Sequence, residues 1–151
     1  MAKTLIRHAV TSDFNVLLEM DQASFSHGVA YDATELSYFM KRPGAETLIL
    51  EEDSQIVAFL ILEVRHTRRS GTIVTLDVRD THRRKGYGTQ LLKRAEGILS
   101  DYGAEMYDLE VDVGNRTAMI FYKRHGFRTV RTLHNYYSNG NDAYLMVKEL
   151  L

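Results

Sequence analysis

A β-branched run, Thr72-Ile73-Val74-Thr75-Leu76-Asp77-Val78, leads through Arg83-Arg84-Lys85 and the closely spaced Gly86 and Gly88 into a helical pattern. In that pattern Leu91, Leu92, Ala95, Ile98, Leu99 and Tyr102 recur on one face, and Gly103 suits the helix end. A strand running straight into a helix sets a mixed α/β course and leaves the helix N-terminus beside the end of the strand. The first N–H groups of a helix have no intrahelical acceptor and lie at the positive end of its dipole, so a pyrophosphate can accept several of their hydrogen bonds. Gly86 and Gly88 lack a Cβ and let backbone approach such a ligand. The junction reads as an anion site.

Its spacing narrows the anion. A Walker loop needs Gly-Lys-Ser/Thr, whereas Gly88 is followed by Thr89-Gln90, and a dinucleotide loop needs a third glycine where the chain has Leu91. With 151 residues, 44% of them hydrophobic, the chain is expected to form one domain over 1–151. A formal net charge of −1 provides no global field for nucleic acid or anionic membrane, so a basic function is local to residues 83–85. The chain has no cysteine, which excludes disulfides, thiolate metal sites and a cysteinyl acyl-enzyme. The six histidines show no zinc spacing, and no metal is expected. No apolar leader or membrane span is legible, and a cytoplasmic location is expected.

Periodicity orders the rest. Leu5 to Val10 reads as a strand, after which Thr11 is expected to cap a helix bearing Phe14, Leu17, Leu18 and Met20. Asp32 and Glu35 suggest a capping box for a second helix, stopped by Pro43-Gly44. Strands are expected at Thr47 to Glu51 and Ile56 to Val64, turning at Asp53-Ser54, and at Thr72 to Val78. Met106 to Val113 alternates cleanly, with Asp108, Glu110 and Asp112 on one face. Asn115 then caps a helix that Gly126 ends, with Phe127 packing back on Phe121 or Tyr122. Phe127 to Tyr137 and Ala143 to Val147 are expected to close the chain as strands, giving β-α-α-β-β-β-α-β-α-β-β.

Within the junction, Arg83-x-x-Gly86-x-Gly88 resembles the coenzyme A loop, Q/R-x-x-G-x-G/A, of the GCN5-related N-acetyltransferase (GNAT) superfamily. The element order is similar to that fold. Leu109-Glu110-Val111, Asn115, Ala118, Tyr122, Gly126-Phe127, Asn135-Tyr136-Tyr137 and Asp142-Ala143-Tyr144-Leu145-Met146 resemble the C-terminal half of the RimI and Ard-type protein N-terminal acetyltransferases. The likeness covers about residues 71–148. It implies a mixed sheet with central strands splayed for acetyl-CoA, held by Leu76, Val78, Arg83, Arg84, Lys85, Gly86, Tyr87, Gly88, Thr89, Asn115 and Tyr122. It also implies a peptide grip at Val29, Tyr31, Glu110, Tyr136 and Tyr137. The implied partners are protein or peptide N-termini, with a ribosome or ribosomal protein as a further candidate, and the chain is expected as a monomer or homodimer. Gly114 and Asp112 stand where the family often has Ser and Arg, and residues 25–31 lack the proline common there.

Amide formation needs a neutral amine, a polarised thioester carbonyl and a donor for the departing sulfur. An α-amine titrates near ~8 and a lysine near ~10.4, so deprotonating the lysine at neutral pH costs about 3 kcal/mol more. Glu110 matches the family's base and Tyr122 its acid, while His82 is the rival base because an imidazole near ~6.5 is better tuned than a carboxylate near ~4.3. A phenol near ~10 facing a thiol near ~8.5 is better suited to donating a hydrogen bond than to full transfer. The Val78 N–H is the expected donor to the carbonyl. Two alternatives stay open: a GNAT acting on a small amine or internal lysine, and a non-catalytic acyl-CoA-binding module.

Overall fold

The computed structural model describes residues 2–150. Its elements are β1 (Thr4–His8), α1 (Phe14–Ser24), α2 (Ala33–Lys41), β2 (Ala45–Glu52), β3 (Gln55–Arg65), β4 (Ser70–Val78), α3 (Tyr87–Asp101), β5 (Met106–Asp112), α4 (Arg116–Arg124), β6 (Arg128–Leu133) and β7 (Ala143–Glu149). The expected order is found, with single 3-10 turns at Thr11–Asp13, His66–Arg68 and Asp80–His82 added. One seven-stranded sheet runs β1-β2-β3-β4-β5-β7-β6, and among the described residues its only parallel pair is β4 with β5.

Both faces of the sheet are covered, which explains the unbroken apolar runs of β2 and β3. Leu48, Leu50, Leu60 and Leu62 pack with Leu91, Leu92, Ala95 and Leu99 of α3 on one face. Ile49, Phe59 and Ile61 pack with Leu17, Met20 and Leu36 of α1 and α2 on the other. Helix ends are set locally. Asp32 Oδ1 accepts the Glu35 N–H at 2.8 Å and Glu35 Oε1 accepts the Asp32 N–H at 3.1 Å. At the end of α4, Phe127 N–H donates to the Tyr122 carbonyl at 3.0 Å and Gly126 N–H to the Lys123 carbonyl at 3.1 Å, with Gly126 at φ +96°. The Phe127 ring then lies 5.5 Å from that of Tyr122 and 4.8 Å from that of Tyr107, which fixes Tyr122 in the core.

Two expectations are corrected. Thr11 does not cap α1: it opens a 3-10 turn, and Asp13 receives the Val10 N–H at 2.8 Å instead. The sixth strand ends at Leu133 rather than Tyr137, because Asn135 takes φ +52° and gives its N–H to Asp142 Oδ1 at 2.9 Å. That side-chain capture replaces the ladder, and residues 134–142 form an irregular loop.

Asp13 is buried and also receives Arg7 in a two-pronged pair at 2.9 and 3.1 Å. Arg7 holds its carboxyl below the usual aspartate range. The native carboxylate thus keeps its charge to lower pH than the unfolded chain, so the pair's contribution is complete above about pH 4 and is lost as pH falls through the native value. Arg7→Ala should cost about 1–3 kcal/mol in urea unfolding at pH 7, with the gap from wild type shrinking in acid.

Candidate active site

The parallel pairing of β4 and β5 lasts only from Ser70–Met106 to Thr72–Asp108. β4 continues to Val78 along β3, and β5 continues to Asp112 along β7, so the two strands part. The Arg79 N–H donates to the Val57 carbonyl at 2.9 Å on the β3 side. By the alternation of a strand, the N–H groups of Val78 and Leu76 therefore face the gap, where ladder partners are missing. Unpaired strand backbone at a splayed seam is suited to an extended amide-bearing ligand.

The basic loop closes the end of this gap. Arg84 and Gly86 take left-handed φ values of +64° and +81°, which carry the chain sharply into α3. No side chain caps α3, and its first turn holds no acid. A Cβ at Gly86 would meet nothing within 4 Å, so the space above this turn is open to a ligand. These features fit the diphosphate of coenzyme A. At Gly88 the lack of a Cβ also has a packing cause: a Cβ there would stand 3.1 Å from Phe121 Cζ, so this glycine seats α4 against α3.

The loop is braced by Glu52 at the end of β2, which sequence reasoning missed. Its carboxyl receives Tyr87 Oη at 2.5 Å and Lys85 Nζ at 3.2 Å and pairs with His82 Nε2 at 2.7 Å. The Tyr87 hydroxyl, and then Lys85, hold the Glu52 carboxyl below its ordinary value. His82 Nδ1 also meets Thr81 Oγ1 at 2.7 Å. Both ring nitrogens are thus partnered, and the structure ties the rival base into the loop. Tyr87 turns its ring into the core, which leaves its backbone for a ligand. Arg83 donates to the Val78 carbonyl at 3.2 Å and pairs with Asp80 at 3.1 Å. Thr89 Oγ1 meets His125 Nε2 at 2.9 Å.

Glu110 stands in the splayed half of β5, half-buried. Burial, and then the Asp108 carboxylate, raise its carboxyl above the ordinary value, against a lowering by Arg65. Asp112, the other neighbour on its face, is engaged elsewhere, receiving the Gly114 N–H at 2.8 Å and Asn141 Nδ2 at 3.0 Å. Tyr122 is buried, and burial followed by the nearby Asp77 pushes its phenol well above its usual value. Among the described residues its hydroxyl has no hydrogen-bond partner. Asn115 caps α4, accepting the Ala118 N–H at 3.1 Å.

Burial raises the phenols of Tyr31, Tyr136 and Tyr137 above their ordinary value, and the Glu110 carboxylate adds to the shift of each. Tyr136 and Tyr137 meet edge to face at 5.0 Å, and Tyr31 Oη donates to the Val74 carbonyl at 3.3 Å. Two loops join over this region: Ser138 Oγ donates to the Gly28 carbonyl at 3.1 Å and Asn139 Nδ2 to the His27 carbonyl at 3.0 Å. Val29 and Asn115 line a cavity of about 360 Å³ beside the bridge. A larger groove of about 900 Å³, between β1, α1 and α2, contains none of these residues.

Sequence reasoning also missed Asp21, Thr75 and Asp77, which meet in the core beneath Tyr31. The available signal was an aspartate at position 21, one turn after Leu17 on the inner side of α1.

A model of the acetyltransferase (GNAT) family matches residues 13–127. The N-alpha-acetyltransferase of Sulfolobus acidocaldarius is 30% identical over 96% of this chain and 92% of its own. Among solved structures, Ard1 from Thermoplasma volcanium superposes with a TM-score of 0.88 at 23% identity, covering 98% of each chain. A chain of the NatC complex bound to Gag peptide and CoA superposes with a TM-score of 0.84 at 20% identity, covering 99% of each.

Proposed function

The chain belongs to the acetyltransferase (GNAT) family, and from that premise we propose that it transfers an acetyl group from acetyl-CoA to the free α-amine of protein or peptide N-termini. The observation that carries the reading is the open seam where β4 and β5 part, with Glu110 half-buried in β5, Tyr31 tied to the Val74 carbonyl of β4, and the loop of Tyr136 and Tyr137 bridged onto residues 27–28. The name of the archaeal relative, an N-alpha-acetyltransferase, supports it.

Acetyl-CoA supplies an acyl group activated as a thioester. Leu76 and Val78 offer backbone N–H groups at the seam, and the Val78 N–H is the donor available to an acyl oxygen. Gly86 to Thr89 present helix-terminal amides, with Arg83, Arg84 and Lys85 alongside, for the diphosphate. Glu110, raised by burial, takes a proton from the incoming amine more readily than an exposed carboxylate. Tyr122 keeps its proton at working pH and donates a hydrogen bond from Oη towards the leaving sulfur. His82 serves the loop through Glu52. Val29, Tyr31, Tyr136 and Tyr137 hold the first residues of the peptide, and Asn115 keeps the N-terminus of α4, and so Tyr122, in place. Chain N-termini arise at the ribosome, so this reading carries a cytoplasmic site of action with it.

With no cysteine to carry the acyl group, a direct attack within one ternary complex is the simpler route. The test is a peptide carrying both a free α-amine and an internal lysine. Acetylation mapped by mass spectrometry is expected at the terminus, since that amine is about 3 kcal/mol easier to deprotonate at neutral pH. Equal or faster acetylation of lysine in an N-terminally blocked peptide overturns the substrate assignment.

A further inference from the structure

Asp21 in α1 and Asp77 at the end of β4 are both buried, and Thr75 Oγ1 lies between them, 3.2 Å from Asp21 Oδ1 and 2.6 Å from Asp77 Oδ1. A hydroxyl has one hydrogen and can donate to only one carboxyl at a time. The second contact is a hydrogen bond only if a carboxyl brings a hydrogen of its own. Asp21 is otherwise an acceptor, since its Oδ2 receives the Tyr31 N–H at 2.8 Å. Asp77 Oδ2, by contrast, is buried with no partner among the described residues. An ionised Asp77 would leave a charged oxygen in the core with no donor, the costliest arrangement available, whereas a neutral acid leaves only an idle carbonyl.

We propose that Asp77 holds the one proton of this pair and is thereby a positioning residue for the peptide site, acting through Thr75 and Asp21 on the backbone of Tyr31. The proposal rests on the reading of Tyr31 as a substrate contact. The groups that face the pair are the backbone and the phenol of Tyr31 from the α1–α2 loop, Arg83 from the loop after β4, and the Tyr122 phenol from α4. Burial, then the Asp21 carboxyl, raise Asp77 well above the ordinary carboxylate range, while Arg83 opposes them. Raising the pH until that proton leaves puts two adjoining carboxylates in the core, and their repulsion loosens the Tyr31 anchor. Asp77→Asn keeps the shape and provides a permanent N–H for Thr75.

Two measurements on the full chain test this. By NMR, with the aspartate carboxyls labelled, the Asp77 signal should titrate well above an ordinary aspartate, and the Tyr31 amide should move with the same midpoint in wild type and stay still in Asp77→Asn. In kinetics with an α-amine peptide between about pH 6 and 10, the peptide KM of wild type should climb about tenfold on the alkaline limb, with acetyl-CoA affinity unchanged. Asp77→Asn should lack that limb, and Asp77→Ala should show a KM raised about tenfold throughout. An Asp77 signal titrating in the ordinary carboxylate range, or an alkaline limb retained in Asp77→Asn, overturns the proposal. If wild type leaves α-amine peptides untouched, the substrate reading fails by itself, and the NMR titration still decides where the proton resides.

Discussion

Glu110→Gln is expected to lower kcat by about 10²-fold or more while acetyl-CoA affinity holds, and Tyr122→Phe to do the same. Both replacements preserve shape, so a loss confined to turnover reports chemistry. Glu110 adds a second signature. Burial raises its carboxyl, so the native state keeps the proton to higher pH than the unfolded chain, and folding stability is lost as pH rises between the two values. Glu110→Gln removes that loss. The variant should therefore be catalytically poor yet at least as resistant to heat as wild type above about pH 4.3, the ordinary glutamate value. In wild type, rate should climb with pH as Glu110 ionises and as the α-amine deprotonates near about 8. If Glu110→Gln keeps full activity while His82→Ala loses it, the base is the loop histidine.

The other large effect belongs to Gly86. A ligand at ~100 times its dissociation constant stabilises by about 2.7 kcal/mol, a melting shift of about 5–11 °C for a chain of this size. Gly86→Val should lose most of that shift with acetyl-CoA. The backbone there is left-handed at φ +81°, which a β-branched residue resists, and its side chain would project into space that no protein atom fills. Gly97→Ala is the control: the position is also open, lies away from the loop on α3, and should keep the full shift. A full shift in Gly86→Val would move the cofactor elsewhere.

Much of this was legible along the chain because period and punctuation are local. The alternation of Met106 to Val113, the Asp32–Glu35 box and the glycine after α4 each act within a few residues, and each holds in three dimensions. The end of β6 was not legible, because Asn135 is captured by Asp142, beyond the turn. Glu52 looked like any charged strand end until the fold brought His82, Lys85 and Tyr87 to it. Thr75 and Asp77 alternate with apolar neighbours, the pattern of a solvated face, and only α1 packing across that face turns them into core. Long-range burial leaves no local mark, which is also why His82 could be weighed as a free base from sequence and is found paired.

The bridge of Ser138 and Asn139 onto Gly28 and His27 joins residues 110 and 112 positions apart. Contacts of such separation hold only after the entropy of closing so long a loop has been met. On the proposed reading, the peptide site is therefore roofed only once the loop after β6 has docked onto residues 27–28. If that reading holds, acetylation of a peptide reports that residues 27–28 and 138–139, at opposite ends of the chain, have been brought together.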